Sequence, residues 1–339
     1  MRAVVFHGPG ELRYEELPVP EPKAGELLVK VEAALTCGTD VKTFRRGHAV
    51  MIPTVPTVFG HELAGTVVAR GRGVTRVREG DRVVPANSAP CGECQFCRVG
   101  RPNLCDDLLF VNGAFGEYTV LPARLVERNL VPFSQALPPF RAAFAEPLAC
   151  ALLGVERGRV EAGQTVVIFG HGPLGCLLAM DVSLKKARVI LVGKPGWRFE
   201  RVQALGLAEC LENSSDARDA LREMTDRQGV DVAVDATGRP EVWEQATATV
   251  RKGGTVVFFG GCAPGTSIRL DTRRAHYEEL TLVGAFHHTP EMIRRAVELL
   301  DSETIIPDGL ITHAKPLAEV REALELMARG EALKVLIHP

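Results

Sequence analysis

QTVVIFGHGPLGCLL, residues 164–178, runs from a short apolar segment through a glycine-rich turn into a second apolar segment. The first segment is β-branched and aromatic and too short for a helix, as expected of a buried strand. The second continues through CLLAMDVSL to Leu184 and reads as a helix. Between them, Gly170, Gly172 and Gly175 make a G-x-G-x-x-G pattern directly after a strand and at the mouth of a helix. There the first glycine permits the tight turn, the second lets backbone approach a pyrophosphate, and the third lets helix and strand pack closely. Pro173 and Leu174 open the helix, whose free N–H groups and positive dipole end suit phosphate oxygens. An ordinary glycine turn is the competing reading, and the strand–turn–helix context weighs against it.

The same grammar repeats downstream. ARVILVG, VDVAVDAT and GGTVVFFG read as strands, and WRFERVQALG, SDARDALREMTDRQG and PEVWEQATATV as helices. Strands alternating with helices imply βαβ units and a parallel, doubly wound sheet. Upstream, RAVVFH, ELLVKVEAALT and ELAGTVVARG are β-rich runs between Pro and Gly punctuation and predict a small antiparallel barrel or sandwich over residues 1–85. The last fifty residues add TPEMIRRAVELLDS, LAEVREALELMARG and a closing strand, KVLIHP. The chain is thus read as a two-domain α/β protein.

The end of the second strand of a dinucleotide fold reads the cofactor's adenosine ribose, and NAD-binding chains usually carry Asp or Glu there. Here that position is Gly193, followed by Lys194 and Arg198. Without a carboxylate, nothing repels a 2′-phosphate, and two cations are at hand to bind one. NADP(H) is favoured over NAD(H); the competing reading makes Lys194 and Arg198 solvated surface charges.

The 339 residues carry a net charge of −2, so no global positive field favours nucleic acid or an acidic membrane. No segment approaches the ~18 uninterrupted apolar residues of a membrane span. MRAVVFHGPGELRYEE does not read as a signal peptide, since its apolar run is brief and charges follow at once. A cytoplasmic home is expected, where clustered cysteines read as metal ligands before disulfides.

CGECQFCRVGRPNLC concentrates Cys91, Cys94, Cys97 and Cys105 in one loop. Four thiolates close a tetrahedral zinc shell without leaving room for water, which makes such a site structural. A ferredoxin-type run matches only the first half of the spacing. A zinc-ribbon module contacting nucleic acid would need a basic patch, and Glu93, Asp106 and Asp107 cancel Arg98 and Arg101. Elsewhere, Cys37 ends a strand, His61 and Glu62 start another, and Glu146 lies near the domain junction. Cys, His and Glu together suit a zinc that keeps a position open for substrate. Individually each residue has a bland explanation, and their convergence is not written in their spacing.

CGTD, GHELAG, GDRV, CGECQFCRVGRPNLC, GAFGEY, EPLAC, GHGPLG and VDATG follow one another in an order that resembles the zinc-dependent medium-chain dehydrogenases, the superfamily of alcohol, sorbitol and threonine dehydrogenases. The likeness runs nearly end to end. It implies a GroES-like catalytic domain at 1–149 and 288–339, with the cysteine lobe at about 88–108, and a Rossmann domain at 150–287. It implies that Cys37, His61 and Glu146 bind a catalytic zinc, with Glu146 of the polyol-dehydrogenase type, that Glu62 neighbours or ligates it, and that the four cysteines hold a second, structural zinc. By the same resemblance Thr39 starts a proton relay, Asp40 bonds the ligand histidine from behind, and Thr237 belongs to the cofactor site. Lys42 stands where many members have the relay's histidine, a departure from the family pattern.

The activity implied is hydride transfer between a secondary alcohol, such as a polyol, sugar or cyclitol, and NAD(P), giving the ketone. His287 and His288 are candidate substrate contacts, or else caps of the helix that follows. An L-threonine 3-dehydrogenase or a simple alcohol dehydrogenase remains the rival, while a zinc-free quinone or enoyl reductase would lack the Cys, His and Glu ligands. A homodimer or homotetramer is expected, with TVVFFGG and ELTLVGAF as candidate edge strands.

Overall fold

The computed structural model describes residues 1–214 and 217–339. The chain forms two compact units, Met1–Ala149 with His288–Pro339, and Cys150–His287.

In the Cys150–His287 unit, six parallel strands lie in the order Glu209–Glu212, Arg188–Gly193, Thr165–Phe169, Val230–Asp235, Val250–Phe258 and Thr281–Gly284. Numbered along the chain, that is 3-2-1-4-5-6, the doubly wound order in which the strand order reverses beside the first strand. Val166, Val167, Ile168 and Phe169 are at most 1% exposed, which explains why this strand is apolar at successive positions and not at alternate ones. The helix Pro173–Leu184 is likewise buried at Cys176, Leu177, Leu178, Ala179 and Val182. An element covered on most sides loses its polar face.

Three details differ from the sequence reading. The helix expected over SDARDALREMTDRQG begins at Ser215 and Asp216, which lie outside the described residues, and is seen at Ala217–Glu223. Asp226 and Arg227 then take φ of 49° and 64° and turn the chain away. The strand Glu209–Glu212 was not anticipated, being four residues long with a glutamate at each end. TVVFFGG falls at the end of a strand paired on both sides, so it is not an edge, whereas ELTLVGAF does contain the outermost strand, Thr281–Gly284.

In the other unit, the main sheet runs Leu130–Pro132, Arg82–Pro85, Glu62–Arg70, Leu27–Leu35, Lys334–His338 and Ile311–Pro316, with Tyr118–Leu121 also paired to Leu27–Leu35. A smaller sheet joins Glu11–Glu16, Arg2–Gly8 and Thr57–Val58. Phe6 stacks on Phe59 at 5.2 Å, and Phe115 meets Phe59 at 6.0 Å, in a core completed by Val4, Leu63, Leu324 and Val335. One consequence of register matters most for function. Leu35 pairs with Glu62 on one side and with Leu336 on the other. Residues far apart in sequence therefore finish side by side where the Leu27–Leu35 strand ends.

Candidate metal and cofactor sites

Beyond that strand end, Cys37 caps the helix Gly38–Arg46. Its Sγ accepts from the Thr39 N–H at 3.4 Å, and Asp40 Oδ2 accepts from the Cys37 N–H at 2.9 Å. This is a capping box with sulfur in place of the usual hydroxyl, and it sets a thiol where the helix's positive end favours negative charge. The other oxygen of Asp40 lies 2.8 Å from His61 Nδ1. That contact directs one ring proton to Nδ1, so that Nε2 is the atom that can act as a ligand once its own proton is lost. Burial opposes charging of His61, but Asp40 and Cys37 outweigh it and hold its pKa well above the usual histidine range.

Donor atoms of Cys37, His61 and Glu62 all lie within 4.8 Å of one another. Glu62 is fully buried, and its Oε1 has no hydrogen-bond partner among the described residues, while Oε2 accepts from Lys334 Nζ. Burial pushes the Glu62 carboxyl up to about 7, against the pull of Lys334 and with the help of Glu146. Lys334 is itself only 2% exposed; burial disfavours its charge, but Glu62, Cys37 and Glu146 hold it protonated. Acids thus outnumber the buried ammonium, and one carboxylate oxygen is orphaned beside a thiol and an imidazole. Such a set fits a divalent cation of borderline softness.

Glu146 lies outside this trio; Oε1 is 3.9 Å from His288 Nε2. His288 is buried and its Nε2 also meets Asn87 Oδ1 at 2.8 Å. His287 is half-buried with φ of 63°. Neither histidine caps the following helix, because Thr289 Oγ1 accepts from the Met292 N–H. Thr39 is half-buried on the first turn after Cys37, and Lys42 is exposed on the next. Lys334 was missed by the sequence reading. Its signal was a lysine flanked on both sides by apolar residues, Ala332, Leu333, Val335 and Leu336, a rare setting for a surface charge.

The four sulfurs of Cys91, Cys94, Cys97 and Cys105 also lie within 4.8 Å of one another, with Cys91 and Cys97 4.0 Å apart. A ZnS4 tetrahedron with Zn–S near 2.3 Å has S···S edges of about 3.8 Å. All four cysteines are free thiols. Backbone N–H groups of Cys97 and Asp106 pull the Cys94 thiol down to about 6, while burial pushes Cys97 up to about 12. Phe96, Val99 and Leu104 in this lobe are exposed, so apolar burial does little to hold it.

In the other unit, a cavity of about 250 Å³ opens at the glycine turn. Gly170, Gly172, Gly193, Lys194, Arg198 and Thr237, all singled out in the sequence, line it, together with His171, Asn213 and Arg239, which were not. Gly170 takes φ of 114°, which favours glycine, and a Cβ on Gly175 would fall 1.8 Å from the Gly170 carbonyl oxygen. A Cβ on Gly172 would meet nothing within 4 Å, so its open side is free for a phosphate. Pro173, Leu174 and Gly175 shape the turn and are not among the lining residues. Buried Asp235 fixes the opposite wall, accepting from the Thr237 N–H at 3.0 Å, the Gly238 N–H at 2.9 Å and Trp243 Nε1 at 2.9 Å.

Residues 23–132 match the alcohol dehydrogenase GroES-like domain, and residues 173–302 match the zinc-binding dehydrogenase domain. Sorbitol dehydrogenase of Bacillus subtilis (strain 168) is 30% identical over 100% of this chain and 97% of its own length. D-altritol 5-dehydrogenase of Agrobacterium fabrum is 34% identical over 94% of each. An NADP-bound crystal structure from Sinorhizobium meliloti 1021 superposes with a TM-score of 0.90 at 31% identity, covering 100% of this chain and 99% of that one. The chain belongs to the zinc-dependent medium-chain dehydrogenases, in the same branch as the sorbitol and altritol enzymes it matches nearly end to end.

Proposed function

We propose that this dehydrogenase oxidises a secondary hydroxyl of a polyol, sugar or cyclitol to the ketone, with NADP taking the hydride and one proton released. The observation that carries the reading is the trio of half-buried Cys37 with buried His61 and Glu62, closed to 4.8 Å, in a chain whose relatives act on sorbitol and altritol. When bound, zinc supplies Lewis acidity to the substrate hydroxyl, and the nicotinamide cofactor takes up the hydride. The chain's own residues do the rest. Cys37 and His61 are the fixed ligands, and Asp40 keeps His61 in the ligating tautomer. Glu62 fills the third position, with Lys334 holding its other oxygen, and Glu146 adds a carboxylate at the edge of the site. Thr39 receives the substrate's proton and hands it on towards solvent, where Lys42 is the outlet.

The cysteine lobe of about 88–108 holds a structural zinc. Units 1–149 with 288–339, and 150–287, act as the catalytic and cofactor-binding domains. Gly193, Lys194 and Arg198, joined by Arg239, select the 2′-phosphate. His288, beside Glu146, and His287 are the candidate substrate contacts. The enzyme works in the cytoplasm as a homodimer or homotetramer.

A panel of polyols, cyclitols, sugars and L-threonine, assayed with NADP and NAD, tests the substrate class. A polyol or cyclitol turned over with NADP supports it. Turnover of L-threonine alone, or of simple alcohols alone, contradicts it.

A further inference from the structure

His171 and Gly193 meet at the cofactor cavity through the pairing of the first two strands of the parallel sheet. Phe169 pairs with Val192, and the Gly170 N–H donates to the Val192 carbonyl at 2.8 Å, so the residue after Gly170 comes to lie beside the residue after Val192. A glycine is required for one of two reasons, conformation or space. Gly193 is not among the positive-φ glycines, so its backbone would accept other residues. Space is what forbids them. A Cβ at 193 would lie 2.0 Å from His171 Nδ1, 2.6 Å from its Cγ and 2.8 Å from its Cε1.

Because Cγ is one of the clashing atoms, turning the ring about its own axis does not relieve the contact. Only rotation about χ1 does, and that lifts the imidazole from its edge-on seat against Phe199, 5.7 Å away at 87°. Lys194, Arg198, Asn213 and Arg239 complete this corner, and no carboxylate lines it among the described residues.

We propose that His171 and Gly193 act as one specificity device: the imidazole fills the volume into which any side chain at 193 would project, so two residues and not one keep the ribose corner clear of a carboxylate and open to a 2′-phosphate. The inference rests on reading this cavity as an NADP site. It makes His171 a packing constraint on specificity, felt only when a side chain is placed at 193, and not itself the group that selects the phosphate. It also means that installing an NAD-type acid at 193 fails unless the ring goes too. Burial, and then Arg198, push the His171 pKa below the usual histidine range, so the ring acts here by its volume and not by a charge.

Four full-length proteins test it: wild type, G193D, H171A and H171A/G193D, each titrated with NADPH and with NADH by fluorescence and each melted with and without cofactor. G193D is expected to bind both cofactors weakly. H171A/G193D is expected to bind NADH about tenfold or more tightly than G193D does, the size of coupling expected of contacting residues, while NADPH stays weak. H171A keeps its preference for NADPH, since the cations remain. If G193D alone binds NADH as tightly as the double variant, the ring is no obstacle and the inference is overturned. If G193D fails to fold and the double variant fails equally, removing the ring has relieved nothing, and the inference is overturned in that case too. Wild type binding NADH as tightly as NADPH overturns the cofactor reading itself, and the comparison of G193D with the double variant then reads the packing of the pair alone.

Discussion

The cysteine lobe and the Cys37–His61–Glu62 trio differ in how far apart their members lie in the chain, how deeply they are buried and which donors they use. The lobe gathers four thiols from fifteen residues, three of them half-buried, and its short helix Gln95–Arg98 buries no residue of its own. The trio combines sulfur, nitrogen and oxygen from two strand ends, and a third strand supplies its buried counter-ion. Four identical soft donors saturate a metal and fasten a segment with little core. Three mixed donors, two of them buried, are a set that could hold a metal with a coordination position left open. The contrast shows that the two candidate metal sites are assembled in different ways, local spacing gathering the four thiols and sheet register bringing the three mixed donors together.

Removing a ligand from each site breaks the comparison most sharply. His61→Ala is expected to lower turnover at least about 100-fold, beyond the range seen when an outer partner of a metal ligand is lost, while the protein stays folded. Cys97→Ser is expected to do the reverse, with initial turnover within about twofold of wild type but a melting temperature several degrees lower and faster proteolysis at 91–105. Steady-state kinetics and thermal melts read both. Lys334→Met comes next. It leaves the Glu62 carboxylate buried without its ammonium, so denaturant unfolding of the zinc-free protein should show a loss of about 3–5 kcal/mol, and added zinc should recover part of it. Asp40→Asn is expected to weaken zinc retention against a chelator about 10–100-fold by loosening the His61 ring, with the lobe's metal unaffected. Smallest is Lys194→Ala, which should weaken NADPH binding by about tenfold or less and leave NADH unchanged, since one exposed cation contributes modestly. Between the carboxylates, Glu62→Gln should reduce zinc retention more than Glu146→Gln does. The opposite order would place Glu146 in the third position.

What was legible from sequence follows the same division. The glycine turn and the four-cysteine loop are contiguous, so their residue types and spacing carry the geometry. The parallel sheet was readable because its inner strands are apolar at successive positions, while Glu209–Glu212 escaped notice because an edge strand has no such requirement. Cys37, His61 and Glu62 could be named through resemblance, but their convergence depends on Leu35 pairing with Glu62, a register that no local pattern records. Lys334 escaped for the same reason, arriving through Leu336 opposite Leu35. His171 was hidden inside a motif whose glycines carry the recognisable pattern, and its partner Gly193 was read as a missing acid, not as a place already filled.

Zinc content tests the central claim most directly. Elemental analysis of the purified chain should find about two zinc ions per chain, a closed structural shell and an open catalytic one. It should find about one in His61→Ala, with turnover lost, and about one in Cys97→Ser, with turnover retained. A wild-type chain carrying a single zinc that survives His61→Ala would contradict the account.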